Sequence, residues 1–387
     1  MCVGFPPSGG RGCAKTITFY MSNLTFITPS TAMPLWNNFI SSIPSITPFS
    51  FNPSLYNFYK KHYSWKPYYI MLTSKDEVCA IFPIVNTGKA WVSLPHFSYG
   101  GILYQEKCME TTESDITNTI ITQITSSKLT PGFYNYNFPL STESGGGFPL
   151  RRGSGGGSFI RTLTKTPNSN YTKTEKVTSL LILPSNKSDL LTILSQNIKR
   201  KINKAKKSQI IIKSGGLELL NDFYIVYSRN IYKLNSLNYG KDFIKDLFST
   251  YEFGNIVIFV AYINNKPIGS SLLASYNGFY ENMFFATSKE SRKYYVSDLL
   301  HWEMISYSIK NNSLSNNKTN GVYSFGRSTI NSGIHKYKSH WPITDHPIYH
   351  YSNIPDIKSQ GWLQSVWSKI PYFISSPLGA KLIKHIY

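Results

Sequence analysis

Residues 256–287, IVIFVAYINNKPIGSSLLASYNGFYENMFFAT, read as three consecutive antiparallel strands. Apolar, aromatic and β-branched residues dominate each run, and Asn264-Asn265 supplies a two-residue hairpin turn. The spacing predicts strands over 256–263, 266–276 and 278–287. Upstream, a strand over 177–183 ends at Pro184. A helix over 188–208 then places Leu191, Leu194, Ile198, Ile202 and Ala205 on one apolar stripe. A strand over 210–213 and helices over 217–234 and 242–250 complete the approach to the three strands. Downstream, the pattern predicts a helix over 296–310, a strand over 321–325 and a short strand over 348–351. The tail from 361 reads as helices broken at Pro371 and Pro377.

The first part of the chain reads as a separate mixed α/β unit. Helical spacing covers 35–43 and 53–63, and strands are expected over 68–72, 78–85, 90–94 and 133–138. Ile116, Ile120, Ile121 and Ile124 mark an amphipathic helix over 114–127. Residues 141–158, STESGGGFPLRRGSGGGS, hold seven glycines and two arginines with almost nothing to pack. Residues 4–12, GFPPSGGRG, echo them. An RGG-like nucleic-acid arm is the functional alternative to a plain linker, but such arms repeat more often and include aromatics. The expected organisation is a disordered N-terminal extension over 1–21, a first domain over 22–140 and a Gly-rich flexible linker over 141–175. A second domain with the active cleft follows over 176–352, then a helical tail over 353–387.

The chain carries 40 Lys+Arg against 20 Asp+Glu, a net charge of +20. Such a surface attracts polyanions: tRNA, a phosphate-rich cofactor or an anionic membrane face. An AT-rich coding background would also raise Lys, Asn, Ile and Tyr without any such partner. Cys2, Cys13, Cys79 and Cys108 form no CxxC pair, which suggests a reducing compartment. No run of about 18 apolar residues occurs, and the first twenty residues lack the apolar core of a secretory signal. The expected location is cytoplasmic, peripheral at most to the inner membrane face. Met21 opens a more protein-like stretch, so residues 1–20 read as an extension.

Two stretches carry chemistry. In GVYSFGRSTINSGIHKYKSHWP, residues 321–342, a strand runs into Gly326, Arg327 and hydroxyls, then Lys336, Tyr337, Lys338 and Trp341. Arg327 is a fork suited to carboxylate or phosphate, and Lys338 is a point charge. Residues 199–207, KRKINKAKK, place Arg200, Lys204 and Lys207 at i, i+4 and i+7. Those like charges repel unless a partner supplies phosphates. His335, His340, His346 and His350 lie close in sequence, but their spacings suit no common metal site, and none is expected. His335 as a general base is a weaker reading than a polar loop histidine. No nucleophile elbow, Cys-His signature or close carboxylate pair appears, and no general base stands out.

The element order strand–helix–helix–three antiparallel strands–helix–strand is that of an N-acetyltransferase-type (GNAT) core. The motifs narrow this further: the chain resembles the FemAB-like branch of that superfamily. The resemblance rests on Phe325-Gly326-Arg327-Ser328, Ser332-Gly333, Tyr337-Lys338 and Trp341, on LPHFSYGGIL at 94–103, on NIKRKINKAKKS at 197–208 and on IPYFISSPLGAKLIKHI at 370–386. The last is similar to the C-terminal helix of relatives linked to exopolysaccharide and surface-protein export systems. Pro342 stands where the family usually has Gly, and Tyr337 where Phe is commoner.

The resemblance implies an α/β fold of two tandem GNAT-like domains, each a mostly antiparallel sheet flanked by helices. It implies transfer of an acyl or aminoacyl group to an amine on a cell-envelope precursor or glycan. The donor would be aminoacyl-tRNA or an acyl-CoA or acyl-carrier thioester, with no tightly bound cofactor and no DNA. The family's donor-holding lysine maps onto Lys338; with it Arg327 and Ser328 are expected to be catalytic, and Tyr99, Gly100, Gly101, Arg200, Lys204, Ser332 and Tyr337 to bind donor or acceptor. A CoA-dependent member usually has a Gly-rich turn before the helix that follows the third hairpin strand. Here that junction, SKESRKYYVS at 288–297, has no glycine, which weighs against a plain acetyl-CoA enzyme. The alternatives are a non-catalytic basic tRNA-binding protein and a structural relic of the fold.

Overall fold

In a computed structural model of the chain, the described residues are 24–27, 29–42, 46–74, 77–88, 90–104, 133–139, 172–314, 321–352, 367 and 369–385. The strands of the first half are β1 (Leu24–Ile27), β2 (Lys66–Ser74), β3 (Glu77–Asn86), β4 (Ala90–Val92), β5 (Leu103–Tyr104) and β6 (Phe133–Pro139). Those of the second are β7 (Thr172–Ile182), β8 (Ile211–Gly215), β9 (Asn255–Ile263), β10 (Lys266–Tyr276), β11 (Phe279–Thr287), β12 (Val322–Ser328) and β13 (Thr344–Ser352). They form one sheet in the order β1-β2-β3-β4-β6-β13-β7-β12-β11-β10-β9-β8, with β5 pairing on β3.

Followed from either edge to the middle, this order is the same. Antiparallel strands lead to one parallel pair, β4–β6 or β11–β12, and then to an antiparallel partner, β13 or β7. The two halves meet where β13 pairs with β7, from Thr344↔Leu180 to Ser352↔Thr172. The three-strand reading of 256–287 holds: Asn264 and Asn265 both have positive φ, as a type I′ hairpin requires.

The described helices are α1 (Pro29–Ser42), α2 (Leu55–Phe58, continued by a π-turn to Tyr63), α3 (Lys187–Ile193), α4 (Gln196–Lys207), α5 (Leu220–Lys233), α6 (Lys241–Thr250), α7 (Val296–Leu314), α8 (Gly333–Lys338) and α9 (Tyr372–Leu382). Three differ from the sequence expectation. The single helix over 188–208 is two, because Leu194 is extended and the Ser195 hydroxyl accepts the N–H of Ile198 to start α4. The break resets the phase, so Leu190 is buried and Leu191 is exposed. The loop expected after Arg327 contains α8, capped by Ser332. Pro377 does not end α9, which carries it in its interior. The expected helix over 114–127 and the Gly-rich passages at 4–12 and 141–158 lie outside the described residues.

Apolar cores cover both faces of the sheet. On one, first-half side chains such as Trp36, Phe49 and Phe58 pack with Phe223, Phe243 and Leu247 of α5 and α6. On the other, Ile198, Ile202 and Ala205 of α4 meet Leu300 and Ile305 of α7, together with Tyr323, Phe325 and Trp341. Each of the large aliphatic and phenylalanine side chains contributes roughly 1.5–3 kcal/mol when fully buried. The first face thus fixes the two halves to each other, and α4 belongs to the second face.

Candidate active site

β11 and β12 pair only at Phe279↔Val322, Tyr280↔Tyr323 and Glu281↔Ser324. Beyond Glu281, β11 runs on to Thr287 and β12 to Ser328 with no further pairing between them. The strands diverge as a V, and the inner edge of β11 is left without a strand partner among the described residues. Two irregularities sit where the V opens. The β10–β11 register slips between Leu272 and Leu273, leaving Met283 as an extra residue. Across from it, Gly326 has φ +76, and the β12–β7 register shifts between Ser324 and Arg327. A Cβ at 326 would lie 3.3 Å from the Asn282 carbonyl, so glycine meets both the backbone and the space requirement there. Through this bulge β12 continues to Ser328 instead of ending at Phe325.

His301 of α7 fills one side of the V. Its ring stacks on Phe285 of β11 at 4.4 Å and tilts against Phe325 of β12 at 4.6 Å. Its Nδ1 is 2.9 Å from the Tyr323 hydroxyl. Burial, helped by the Lys338 charge, holds its pKa well below the usual histidine value, so it is a neutral strut between the two arms.

On the other side lies Glu281, fully buried at the last paired position. Burial raises its pKa to about 7, offset in part by a hydrogen bond from Ser98 and by the charges of Arg327 and Lys338. Its Oε2 has no hydrogen-bond partner. Lys338 is also buried. Its Nζ donates to the carbonyls of Gly326 at 2.6 Å and Arg327 at 3.1 Å. Burial lowers its pKa to about 7, while Glu281 and Asp345 act in the opposite direction. An ammonium has three donors, so one N–H stays available after these two bonds. A buried carboxyl and a buried amine, both titrating near neutrality in one notch, are what acid–base chemistry at pH 7 needs.

The other expected site residues fall into three groups. Arg327 is exposed at the mouth of the V, and its charge reaches Glu281, Tyr99 and Tyr239. Ser328 is buried with its hydroxyl unpartnered. These two join Lys338 at the notch. Tyr99 is fully buried, and its hydroxyl lies 2.6 Å from Thr178 Oγ1 and 2.7 Å from Ser324 Oγ. It ties the 94–101 loop to β7 and β12, while Gly100 is buried and Gly101 donates its N–H to Ser93 Oγ at 2.7 Å. Those three form a buried wall in which the Tyr99 hydroxyl and the Gly101 N–H are already bonded.

Ser332 and Tyr337 support α8, the former as its N-cap, the latter with its ring 5.8 Å from His301. Arg200 and Lys204 are not brought to the notch: both are exposed on α4, on the opposite side of the sheet from Tyr99. Lys204 lies over the Tyr295 ring, and Lys187 and Lys206 lie over Trp302, so part of the basic helix's charge packs on aromatic faces. His335 ties α8 to β13, its Nδ1 accepting from Asn331 N at 3.0 Å and its Nε2 lying 2.7 Å from Asp345 Oδ2.

Sequence reading missed Glu281, His301, His96 and Tyr239. Glu281 had a usable signal, being a lone acid inside the apolar run FYENMFF. His96 had none: it has φ +71, stacks on Tyr63 at 4.9 Å, and places Nδ1 3.1 Å from the Tyr239 hydroxyl, which only the folded cleft reveals. Burial, and His62 nearby, lower its pKa to about 4. The junction at 288–297 forms a 3-10 turn capped by Ser288, followed by Tyr295 in the left-handed region, in place of a glycine cradle.

Residues 194–336 match the family described as Acetyltransferase (GNAT) domain, a range that runs from just before α4 through β11 and β12 into α8 and ends two residues before Lys338. The chain carries a GNAT-type acetyltransferase domain and is on that ground an enzyme of the N-acyltransferase class. Among solved structures, the crystal structure of FemX is similar over 89% of this chain and 100% of that one, at 11% identity and a TM-score of 0.57. A tandem GNAT protein from the clavulanic acid biosynthesis pathway, solved without AcCoA, is similar over 86% of this chain and all of its own, at 8% identity and a TM-score of 0.50. At those identities the likeness is one of fold, and the duplicated strand order is that of two tandem GNAT-like units. A search of curated protein sequences finds no match.

Proposed function

We propose that the chain transfers an acyl or aminoacyl group from an activated ester or thioester to an amine on a cell-envelope precursor or glycan, with the chemistry in the notch between β11 and β12. The observation that carries this reading is the anchored amine of Lys338, bound to two β12 carbonyls and within electrostatic reach of the buried Glu281 of β11. The unpaired edge of β11 can receive an extended donor as an added strand, so that its carbonyl lies in the notch.

In this mechanism the acceptor amine attacks the donor carbonyl. The C–N bond forms, the C–O or C–S bond breaks, and the leaving alkoxide or thiolate takes up a proton. Glu281, when ionised, accepts the proton from the attacking amine. The free N–H of Lys338 donates to the oxyanion as it develops. Arg327 and Ser328 orient a phosphate or carboxylate of donor or acceptor at the mouth. Tyr99 with Gly100-Gly101 walls the acceptor side. Arg200 and Lys204, on the outer face, serve a polyanionic donor's body rather than its reacting end. The donor is a consumed substrate, aminoacyl-tRNA or an acyl thioester, and not a resident cofactor.

Native mass spectrometry of the protein pulled from its own cells tests the substrate class. A co-purified tRNA, CoA ester or glycan precursor is the expected result. Tight tRNA binding with no turnover on any acyl donor would favour a non-catalytic binding protein instead. A Lys338→Ala protein that folds normally and keeps full transfer activity removes the assignment of the notch.

A further inference from the structure

Helix α9 is built inside out. Its buried positions are Ser375, Ser376 and Gly379. Its large apolar side chains point to solvent: Phe373 is 74% exposed, Ile374 46%, Leu378 38% and Leu382 40%. The inward face is fixed by small-residue contacts. Tyr372 OH lies 2.6 Å from Ser228 Oγ of α5, and Tyr232 OH donates to the Ile370 carbonyl at 3.0 Å. A Cβ at Gly379 would meet Asn238 Oδ1 at 3.0 Å and Trp367 at 3.2 Å, so the helix lies close and has no room to roll its apolar face inward. Leu234, at the end of α5, adds a further side chain 60% exposed.

Charge indicates what covers this face. Residues 369–387 contain Lys369, Lys381 and Lys384 and no acid, in a chain of net charge +20. A second copy would bring the same cations against themselves. Apolar side chains ringed by lysines suit an anionic bilayer surface, where the rings and branched chains enter the acyl boundary and the ammonium groups stay among the phosphates. We infer that α9 is an interfacial docking helix that seats the protein on anionic lipid through Phe373, Ile374, Leu378 and Leu382.

Vesicle co-sedimentation of the full chain tests this without reading turnover, so its outcome is separate from that of the acyl-transfer reading. Wild-type protein should sediment with phosphatidylglycerol/phosphatidylcholine vesicles and bind pure phosphatidylcholine about tenfold less. The double substitution Phe373→Ser with Leu378→Ser, on the solvent side of a helix held by its other face, should keep its circular dichroism spectrum and lose about tenfold in binding. Equal binding by the variant, or no preference for the anionic vesicles, overturns the inference. So does light scattering in which the variant converts a dimer to a monomer without any lipid binding. A Phe373→Cys protein resistant to thiol labelling before lipid is added also overturns it, since the face would then be covered by the chain itself.

Discussion

The two halves of the sheet repeat one strand order and differ at its one parallel pair. In the first half, β4 pairs with β6 at Ala90↔Phe133, Trp91↔Tyr134 and Val92↔Asn135, and β4 ends there. In the second, the pair also spans three positions, but both strands continue and diverge. The third position of the ladder is buried Val92 in one half and buried Glu281 in the other. The same scaffold serves packing in one copy and, in the other, opens the notch in which the proposed chemistry lies. What separates them is strand length, two bulges and a pair of titratable groups, not topology.

The largest expected effect comes from removing the amine. Lys338→Met should lower kcat by about 10²–10³-fold, as loss of one preorganised oxyanion donor does, with the fold intact by circular dichroism. Glu281→Gln should cost about 10²-fold or more and change the pH profile. Wild-type rate rises with pH as Glu281 ionises near 7 and falls as Lys338 loses its proton near 7, giving a narrow bell. The Gln variant should lack the rising limb.

The same substitution has a stability signature. A carboxyl whose pKa is raised by folding ionises first in the unfolded chain, so wild-type stability should fall as pH rises from 4.5, the ordinary glutamate value, to about 7, the folded one. Lys338, its folded pKa lowered to about 7, is protonated in both states over most of that window and adds a small opposing rise only as pH nears 7. Denaturation of Glu281→Gln at the two pH values should show this fall removed, an effect on the order of 3 kcal/mol. Placing a carboxyl in the other half, Val92→Glu, should destabilise by about 3 kcal/mol and confer no transfer activity, because no amine faces it. Smallest is Gly326→Ala, about 1 kcal/mol of strain at positive φ, with a drop in kcat from a shifted notch.

Most of the second half was legible because its elements are long and periodic. The three strands over 256–287, the helix before them and the strand at 321–325 follow from alternation and apolar spacing. The extension of β12 was not legible, because it depends on Gly326 adopting a bulge that the partner strand sets. The split of the 188–208 helix turned on one serine cap. Lys338 and Arg327 were found from a motif, yet their relation through the β12 backbone is a folded-state fact. Arg200 and Lys204 were read as holding a polyanionic partner and Tyr99 as lining the acceptor side, and the two cores put them on opposite faces of the sheet. Glu281 was overlooked because an acid in an apolar strand was not weighed as a buried base.

A crystal structure with a non-hydrolysable donor analogue tests the central claim most directly. The account predicts the analogue's carbonyl oxygen within hydrogen-bonding distance of Lys338 Nζ, between β11 and β12, with the acceptor side open to Glu281. An analogue seated against β4 and β6, or on the outer face of α4 with its carbonyl away from Lys338, would contradict it.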